Sequence, residues 1–154
     1  YIPLGHANGD QLPKDQALDL ISKLFVNPDL SCCAHNANFD LTILQNAGIE
    51  VKNLTFDTMV AAFLCGKRSI GLKNLAFELF NEEMTPITNL IGSGRNQISM
   101  ADVSIDEVTP YACADADFTL RLKHELSPLL TVNNAEFVNN NIEIPLISEN
   151  LDVF

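Results

Sequence analysis

Hydrophobic residues in the first third of the chain recur at helical spacing and then collect in a short apolar run. The spacing predicts an amphipathic helix over 13–26, with Pro13 as a first-turn residue. Segment 31–35 is short, apolar and bounded by turn residues, so we predict a buried strand there. A helix over 37–47 follows and ends at Gly48, a typical residue after a helix. The chain therefore passes directly from a strand into a helix.

The middle of the chain shows helical spacing twice, followed by a polar interruption. Asp57 is placed to cap a helix that runs to Gly66. The apolar spacing then predicts a second helix over 72–81. Between residues 82 and 97 the periodicity is lost, and we predict a mobile surface loop of the kind that often carries binding groups.

One long predicted helix, over 105–126, dominates the last third of the chain. Pro110 lies inside it and would remove a backbone hydrogen bond, so we expect an irregular or kinked start. Pro128 is expected to end the helix. Asparagine-rich residues between 133 and 141 indicate a linker. The apolar pattern that begins at Ile142 predicts a new helix, which we assign to another domain.

Composition limits the chain to one core and argues against a membrane span. The 154 residues, 47% of them hydrophobic, suffice for a single domain. No apolar run approaches the roughly 18 residues that a membrane helix needs, and no signal segment opens the chain. Four cysteines lie in apolar runs without metal-ligand spacing, and we interpret them as reduced core residues. We therefore expect a soluble protein of the cytoplasm.

The net charge of −11 counts against a partner held only by nonspecific attraction to phosphate, because such binding needs a basic surface. The charge does not exclude a nuclease that works through divalent cations. Such an enzyme gathers carboxylates, and its bound metals supply the positive charge. Acidity is therefore neutral evidence on nucleic-acid binding.

Two pairs of polar residues are spaced four apart and are candidates for chemistry. Asn36 and Asp40 lie at the predicted junction of strand and helix, and Tyr111 and Asp115 lie in the long helix. On a helix this spacing places both side chains on one face, one turn apart. Tyr111 and Asp115 are therefore predicted to meet in one small volume, and Asn36 and Asp40 would do so if their helix starts early.

Each of these carboxylates also has a structural interpretation. Asp40 is compatible with a solvated helix residue, and Asp115 with a surface partner of Arg121 or Lys123. Asp117 competes for any role given to Asp115. It lies about 200° further round a helix of ~3.6 residues per turn, so both side chains cannot face the same site.

Five segments, in their order along the chain, resemble the proofreading 3′-5′ exonuclease domain of bacterial family A DNA polymerases, of the tyrosine-containing type. Segment 34–40 is similar to the second exonuclease motif of that family, and 111–120 to the third. Between them, 55–64 and 71–76 resemble two helix starts, and 91–98 resembles the loop before the third motif. No single motif is very specific, but five in the correct order are.

The resemblance implies an α/β fold of the ribonuclease H-like (DnaQ-like) class and two Mg²⁺ or Mn²⁺ ions that serve hydrolysis at a DNA 3′ end. Asp115 would be a direct metal ligand, and Asp40 would hold the second ion directly or through water. Tyr111 would orient the attacking water, because a free phenol has a pKa of about 10 and rarely takes a proton at neutral pH. Asn36 would seat the terminal nucleotide. Apart from the resemblance, four of the nine basic residues fall in one segment and are candidates to contact the DNA backbone, with a solvated face as an equal alternative: Lys67, Arg68, Lys73 and Arg95.

The first motif of the family, an Asp-x-Glu on the opening strand, has no counterpart in this chain. Tyr1 corresponds to a point downstream of it, and Asp10 and Asp15 lie in a stretch rich in Gly and Pro that is unsuited to a strand. We therefore expect a fold that lacks its first sheet strands, with strand candidates only at 1–4, 31–35 and 49–51. These 154 residues alone are expected to be nearly inactive, whereas the parent protein would be active.

The resemblance also predicts how the chain is divided and which rival functions compete. We expect residues 1–128 to form the exonuclease domain, and 129–154 to form a linker and the start of a polymerase domain. One alternative is an exoribonuclease similar to ribonuclease D, which shares the tyrosine motif and the metal chemistry. Another is a catalytically silent exonuclease-like scaffold beside a polymerase. The presence of Asp40, Tyr111 and Asp115 argues against such decay.

Overall fold

A two-stranded parallel sheet organises the helices in the computed structural model, which describes residues 1–149. The strands are β1 (Cys32–Ala34) and β2 (Leu54–Asp57). The helices are α1 (Lys14–Phe25), α2 (Ala37–Asn46), α3 (Thr58–Leu64), α4 (Leu72–Phe80), α5 (Thr88–Ile91), α6 (Ile105–Val132), α7 (Glu136–Val138) and α8 (Ile144–Glu149). Short 3₁₀ helices span Gly94–Asn96 and Met100–Asp102, and a π-helical segment spans Asn139–Glu143. The predicted α/β class is confirmed.

The two strands lie side by side in parallel, and α2 is the crossover between them. Cys32 is opposite Leu54, and Ala34 is opposite Asp57, with an irregularity after Cys32. Parallel strands require such a crossover connection. Because the strands run in the same direction, their carboxyl ends meet at one edge of the sheet. Both α2 and α3 begin at this edge.

The main core forms where α6 packs across α3, α4 and the sheet. Leu75, Leu122 and Leu126 are fully buried there, beside Phe56. Burial of this apolar stripe explains why α6 continues to Val132 instead of ending at Pro128, as we had predicted. The proline removes one backbone hydrogen bond, but Leu126 before it and Leu130 after it are both buried in the core.

A second core cluster joins α8 to the first half of the chain. Ile144 and Ile147 pack against Ala37 and Leu41 of α2 and against Leu54 of β2. The new helix predicted after Ile142 is therefore present, preceded by the π-helical segment. Its continuation past 149 lies outside the described residues, and no helix among 1–149 has the length and apolarity to cross a membrane.

Three further predictions of local structure are wrong. Residues 1–4 and 49–51 do not form strands, and the second strand is Leu54–Asp57, where three of the four side chains are buried. Ile49 is buried, but it does not pair with a strand. Its backbone N–H donates instead to the carbonyl of Leu44 in α2. The predicted loop over 82–97 contains α5 and a 3₁₀ helix, and Ile91 in this segment packs into a small apolar cluster.

Candidate active site

Asn36 lies between β1 and α2 with its backbone in the left-handed region, at φ 65° and ψ 56°. Asparagine tolerates this conformation better than most residues with a Cβ atom. The helix begins at Ala37, so Asn36 is outside it and Asp40 is in its first turn. A carboxylate in the first turn is favoured by the positive end of the helix dipole. The tight turn from strand to helix thus presents both candidate residues at the edge of the sheet.

Asp57 holds this turn in place. Its side chain is 1% exposed and accepts four backbone N–H bonds, from the starts of two helices. Met59 and Val60 donate at 2.8 and 3.2 Å, which is the cap predicted from the sequence. Ala37 donates at 2.6 Å and Asn36 at 3.3 Å, which the sequence did not reveal. One carboxylate therefore caps both α2 and α3, and no local pattern could have predicted the second cap.

Tyr111 and Asp115 lie one turn apart on α6, so their side chains share one face of the helix. Both are partly buried. Burial and the charge of Asp115 raise the pKa of the Tyr111 hydroxyl. The tyrosine is therefore neutral at physiological pH, and its hydroxyl keeps a proton to donate.

The outer face of α6 carries the competing aspartate. Asp117 is exposed and lies 3.4 Å from Arg121, which also pairs with Glu82. The structure thus places Asp115 and Asp117 on different faces of the helix, as their spacing predicts. Asp117 makes the surface ion pair with Arg121 that we had considered for Asp115.

A cavity of about 900 Å³ brings the two polar pairs together. Asn36 and Asp40 line it from the β1–α2 turn, and Tyr111 and Asp115 line it from α6. Arg95 does not line the cavity. It lies on the exposed 3₁₀ helix Gly94–Asn96, away from the described residues that form the cavity wall. Apolar side chains of α1, α2 and β2 form much of the remaining wall. Four of the five residues predicted for the site therefore share one open space.

The surroundings of Asp40 and Asp115 disfavour the charged form of both carboxyl groups. Asp40 is exposed as a residue, but the partial burial of its carboxyl group raises its pKa, and the nearby charge of Asp57 raises it further. Burial also raises the pKa of Asp115, although the neighbouring Lys73 and Tyr111 act in the opposite direction. Neither Asp40 nor Asp115 forms an ion pair within 4.0 Å among residues 1–149. A cation in the cavity would relieve both carboxylates.

These carboxylates fit a hard divalent cation in kind but not in number. Carboxylate oxygens are the ligands that Mg²⁺ and Mn²⁺ prefer. Within the described part of the chain, however, no three His, Cys, Asp or Glu side chains come together to hold a metal. Asp40 and Asp115 can therefore supply only part of a coordination sphere.

His35 adds a neutral imidazole to the cavity wall. Its Nδ1 lies 2.8 Å from the hydroxyl of Thr58, and that hydroxyl donates to the carbonyl of Ala34. The single hydroxyl proton is then committed, so Nδ1 carries a proton and donates it to Thr58. Burial lowers the pKa of His35, while Asp57 opposes this effect. His35 thus connects β1 to the start of α3 without carrying charge at neutral pH.

The basic residues that we had grouped as DNA contacts separate in the structure. Lys67 pairs with Glu78 at 3.0 Å and, with Arg68, lines a different and smaller depression. Lys73 lines the main cavity, where its ammonium lies 5.1 Å from the centre of the Tyr111 ring. The net charge of the sequence does not indicate that Lys73 faces the cavity, because its position depends on the packing of α4 against α6.

Comparison with known proteins defines the class of this fold and site. The family model described as the 3′-5′ exonuclease of DNA polymerase A matches residues 1–131. The chain belongs to this family of 3′-5′ exonuclease domains.

Similar proteins are longer and are polymerases. DNA polymerase I of Chloroflexus aurantiacus is 45% identical over 96% of this chain, and that of Rhizobium leguminosarum is 30% identical over 96%. The chain spans 16% of the length of each of these relatives. A solved structure of the POL domain of Pol1 from M. smegmatis, in complex with DNA primer-template and dNTP, superposes with a TM-score of 0.62. At 21% identity, over 92% of this chain and 21% of the other, that likeness shows the fold alone.

Proposed function

We propose that this chain is the proofreading 3′-5′ exonuclease module of a DNA polymerase I and hydrolyses the 3′-terminal phosphodiester of single-stranded or frayed DNA. The observation that carries the proposal is the convergence of Asn36 and Asp40 with Tyr111 and Asp115 in one cavity. The polymerase domain of the same parent chain would be its partner, as in the relatives named DNA polymerase I. Such a protein would act in the cytoplasm, where bacterial DNA lies.

Asp40 and Asp115 are proposed to hold part of a divalent metal site for Mg²⁺ or Mn²⁺. When bound, two such ions stabilise the attacking and the leaving oxygen of a phosphodiester. Because the described residues offer only these two carboxylates to the site, we expect them to bind metal weakly by themselves. Further carboxylates, which the resemblance assigns to an Asp-x-Glu motif, would complete the ligand set. Residues 1–154 alone are therefore proposed to be nearly inactive.

Tyr111 is proposed to orient water and not to act as a base. Its hydroxyl can donate one hydrogen bond, and the oxygen has lone pairs that can accept another from water. The raised pKa of this hydroxyl keeps it protonated at neutral pH. Asn36 presents its amide at the end of β1 and is proposed to contact the terminal nucleotide. Arg95, outside the cavity, is proposed to contact the DNA backbone further from the 3′ end.

Removing one hydroxyl tests this assignment. We expect Tyr111→Phe to lower the rate of 3′-end hydrolysis of single-stranded DNA about 100-fold, as misplacement of a reactant does. The ring and its packing remain, so folding should be unchanged. Tyr1→Phe is the matched control, because Tyr1 is the other tyrosine of the chain and its hydroxyl contacts His6 outside the cavity. Both variants belong in the full-length natural polypeptide that carries this chain, and equal rates for the two would refute the role of Tyr111.

The two rival functions are separated by the same assay. An exoribonuclease would degrade RNA 3′ ends faster than DNA 3′ ends, and a silent scaffold would degrade neither. We expect the full-length polypeptide to prefer DNA and to lose its activity in Asp115→Asn. The relatives named DNA polymerase I do not favour either rival.

A further inference from the structure

Lys73 reaches into the cavity from the first turn of α4. Its ammonium donates a hydrogen bond to the backbone carbonyl of Thr85 at 2.7 Å. The same group lies 5.1 Å from the centre of the Tyr111 ring, which is within the range of a cation–π contact. These two contacts hold a flexible side chain in one place beside the tyrosine.

The charge of Lys73 is not consumed by a carboxylate. No ion pair within 4.0 Å involves it among residues 1–149, although the chain carries 20 acidic residues against nine basic ones. An ammonium has three donors, and Thr85 takes one of them. Two donors therefore remain for a ligand. Within the described chain, Lys73 is also the only Lys or Arg that lines the cavity.

We propose that Lys73 is a substrate-binding residue that donates a hydrogen bond to a non-bridging oxygen of the 3′-terminal phosphodiester. The inference rests on the proposed function and names the group that would recognise the phosphate. A fixed cation beside Tyr111 and Asp115 lies where that phosphate must come if these two residues act on it. The lysine would offset the repulsion between the DNA strand and the cavity carboxylates.

A simple structural role for Lys73, such as balancing the charge of Asp115, is distinguished by the dependence of DNA binding on salt. A protein that contacts a phosphate releases counterions, and each contact adds about 0.7 to the slope of log K against log salt for single strands. A lysine that only balances an aspartate does not change this slope.

The experiment measures binding of a short single-stranded DNA, with a chelator present to prevent hydrolysis, to the full-length natural polypeptide. We expect Lys73→Gln to weaken binding about tenfold at low salt and to reduce the slope by about 0.7. Glutamine can still donate to Thr85, so the variant should fold. Lys73→Arg should restore the slope. The matched control is Lys23→Gln, which removes the same charge from an exposed pair with Asp19 on α1.

A second DNA identifies the contacted group. With an uncharged methylphosphonate at the terminal linkage, wild type and Lys73→Gln should bind equally. The proposal is overturned if Lys73→Gln leaves slope and affinity unchanged, or if it weakens both DNAs to the same extent. Hydrolysis of the DNA by wild type with Mg²⁺ is measured separately. If wild type does not hydrolyse the DNA but Lys73→Gln still weakens binding and reduces the slope, the proposed function is wrong and the phosphate contact is supported.

Discussion

Replacement of Asp57 would perturb two helix starts through one side chain. Alanine would leave four backbone N–H groups without their acceptor in a site where Asp57 is 1% exposed. Loss of one cap costs about 1 kcal/mol, and buried donors without partners cost more. For two caps we expect Asp57→Ala to lower the free energy of unfolding by about 2–4 kcal/mol.

Substitution of Asp57 by asparagine should affect the starts of the two helices differently. Oδ1 of Asp57 accepts from Met59 and Val60 and, more weakly at 3.3 Å, from Asn36, whereas Oδ2 accepts from Ala37 at 2.6 Å. In Asp57→Asn the side chain keeps only one oxygen, and we expect that oxygen to stay at the Oδ1 position, where it accepts three of the four N–H bonds, including both that cap α3. The new NH₂ group would then face the N–H of Ala37, and α2 would lose its shortest capping bond.

Activity in Asp57→Asn should fall further than in a variant that loses similar stability away from the cavity. We expect a loss of about 1–2 kcal/mol in the free energy of unfolding, together with a reduction of about tenfold or more in 3′-end hydrolysis. The reason is that the start of α2 positions Asn36 and Asp40 in the cavity. Ile91→Val is the matched control, because it lowers stability by about 1 kcal/mol in an apolar cluster away from the cavity.

Hydrogen–deuterium exchange followed by peptide provides the local readout for Asp57→Asn. Amides at the start of α2 should exchange faster than in wild type, while those of Met59 and Val60 keep their protection. Hydrolysis rates are compared at a temperature at which all variants are folded. The reasoning is refuted if Asp57→Asn and Ile91→Val lose the same activity, or if exchange rises equally at both helix starts.

Two further predictions concern electrostatics and packing. Because burial raises the pKa of Asp115, the folded state holds that proton more tightly than the unfolded chain. The contribution of Asp115 to stability is favourable below its unfolded pKa of about 4 and is lost as pH rises through its folded pKa. Asp115→Asn should therefore gain melting temperature relative to wild type between pH 4 and pH 7, and parallel pH profiles would contradict this. Leu126→Ala should lower the free energy of unfolding in urea by about 2–5 kcal/mol, since Leu126 is fully buried. Leu120→Ala, 49% exposed on the same helix, should cost far less, and equal losses would exclude the proposed core.

Features that depend on local spacing could be predicted from the sequence. The helices α1, α2 and α4 follow from apolar periodicity, and the cap of α3 follows from Asp57. The pairing of Tyr111 with Asp115 needs only the geometry of one helix turn. The resemblance supplied the fold class, because two short strands alone do not specify it.

Features that depend on tertiary packing could not be predicted. The strand Leu54–Asp57 is too short for a period of two to stand out, and its pairing with β1 involves residues more than twenty positions away. The continuation of α6 past Pro128 depends on the burial of Leu126 and Leu130. The orientation of Lys73 depends on the carbonyl of Thr85, which no sequence pattern links to it.

Four aspartates of the chain differ in the groups that they contact. These contacts separate a structural role from a functional one, which residue type alone does not. Asp57 is fully buried and satisfied by four backbone donors, so it has no capacity left for a ligand. Asp117 is exposed and pairs with Arg121. Asp40 and Asp115 are the members of this set that line the cavity, have raised pKa values and lack an ion pair among residues 1–149. Carboxylates kept charged at neutral pH in such surroundings destabilise the fold, and a bound cation would reverse that effect. A stabilising shift by Mg²⁺ that disappears in Asp115→Asn is therefore the expected thermodynamic sign of a binding site.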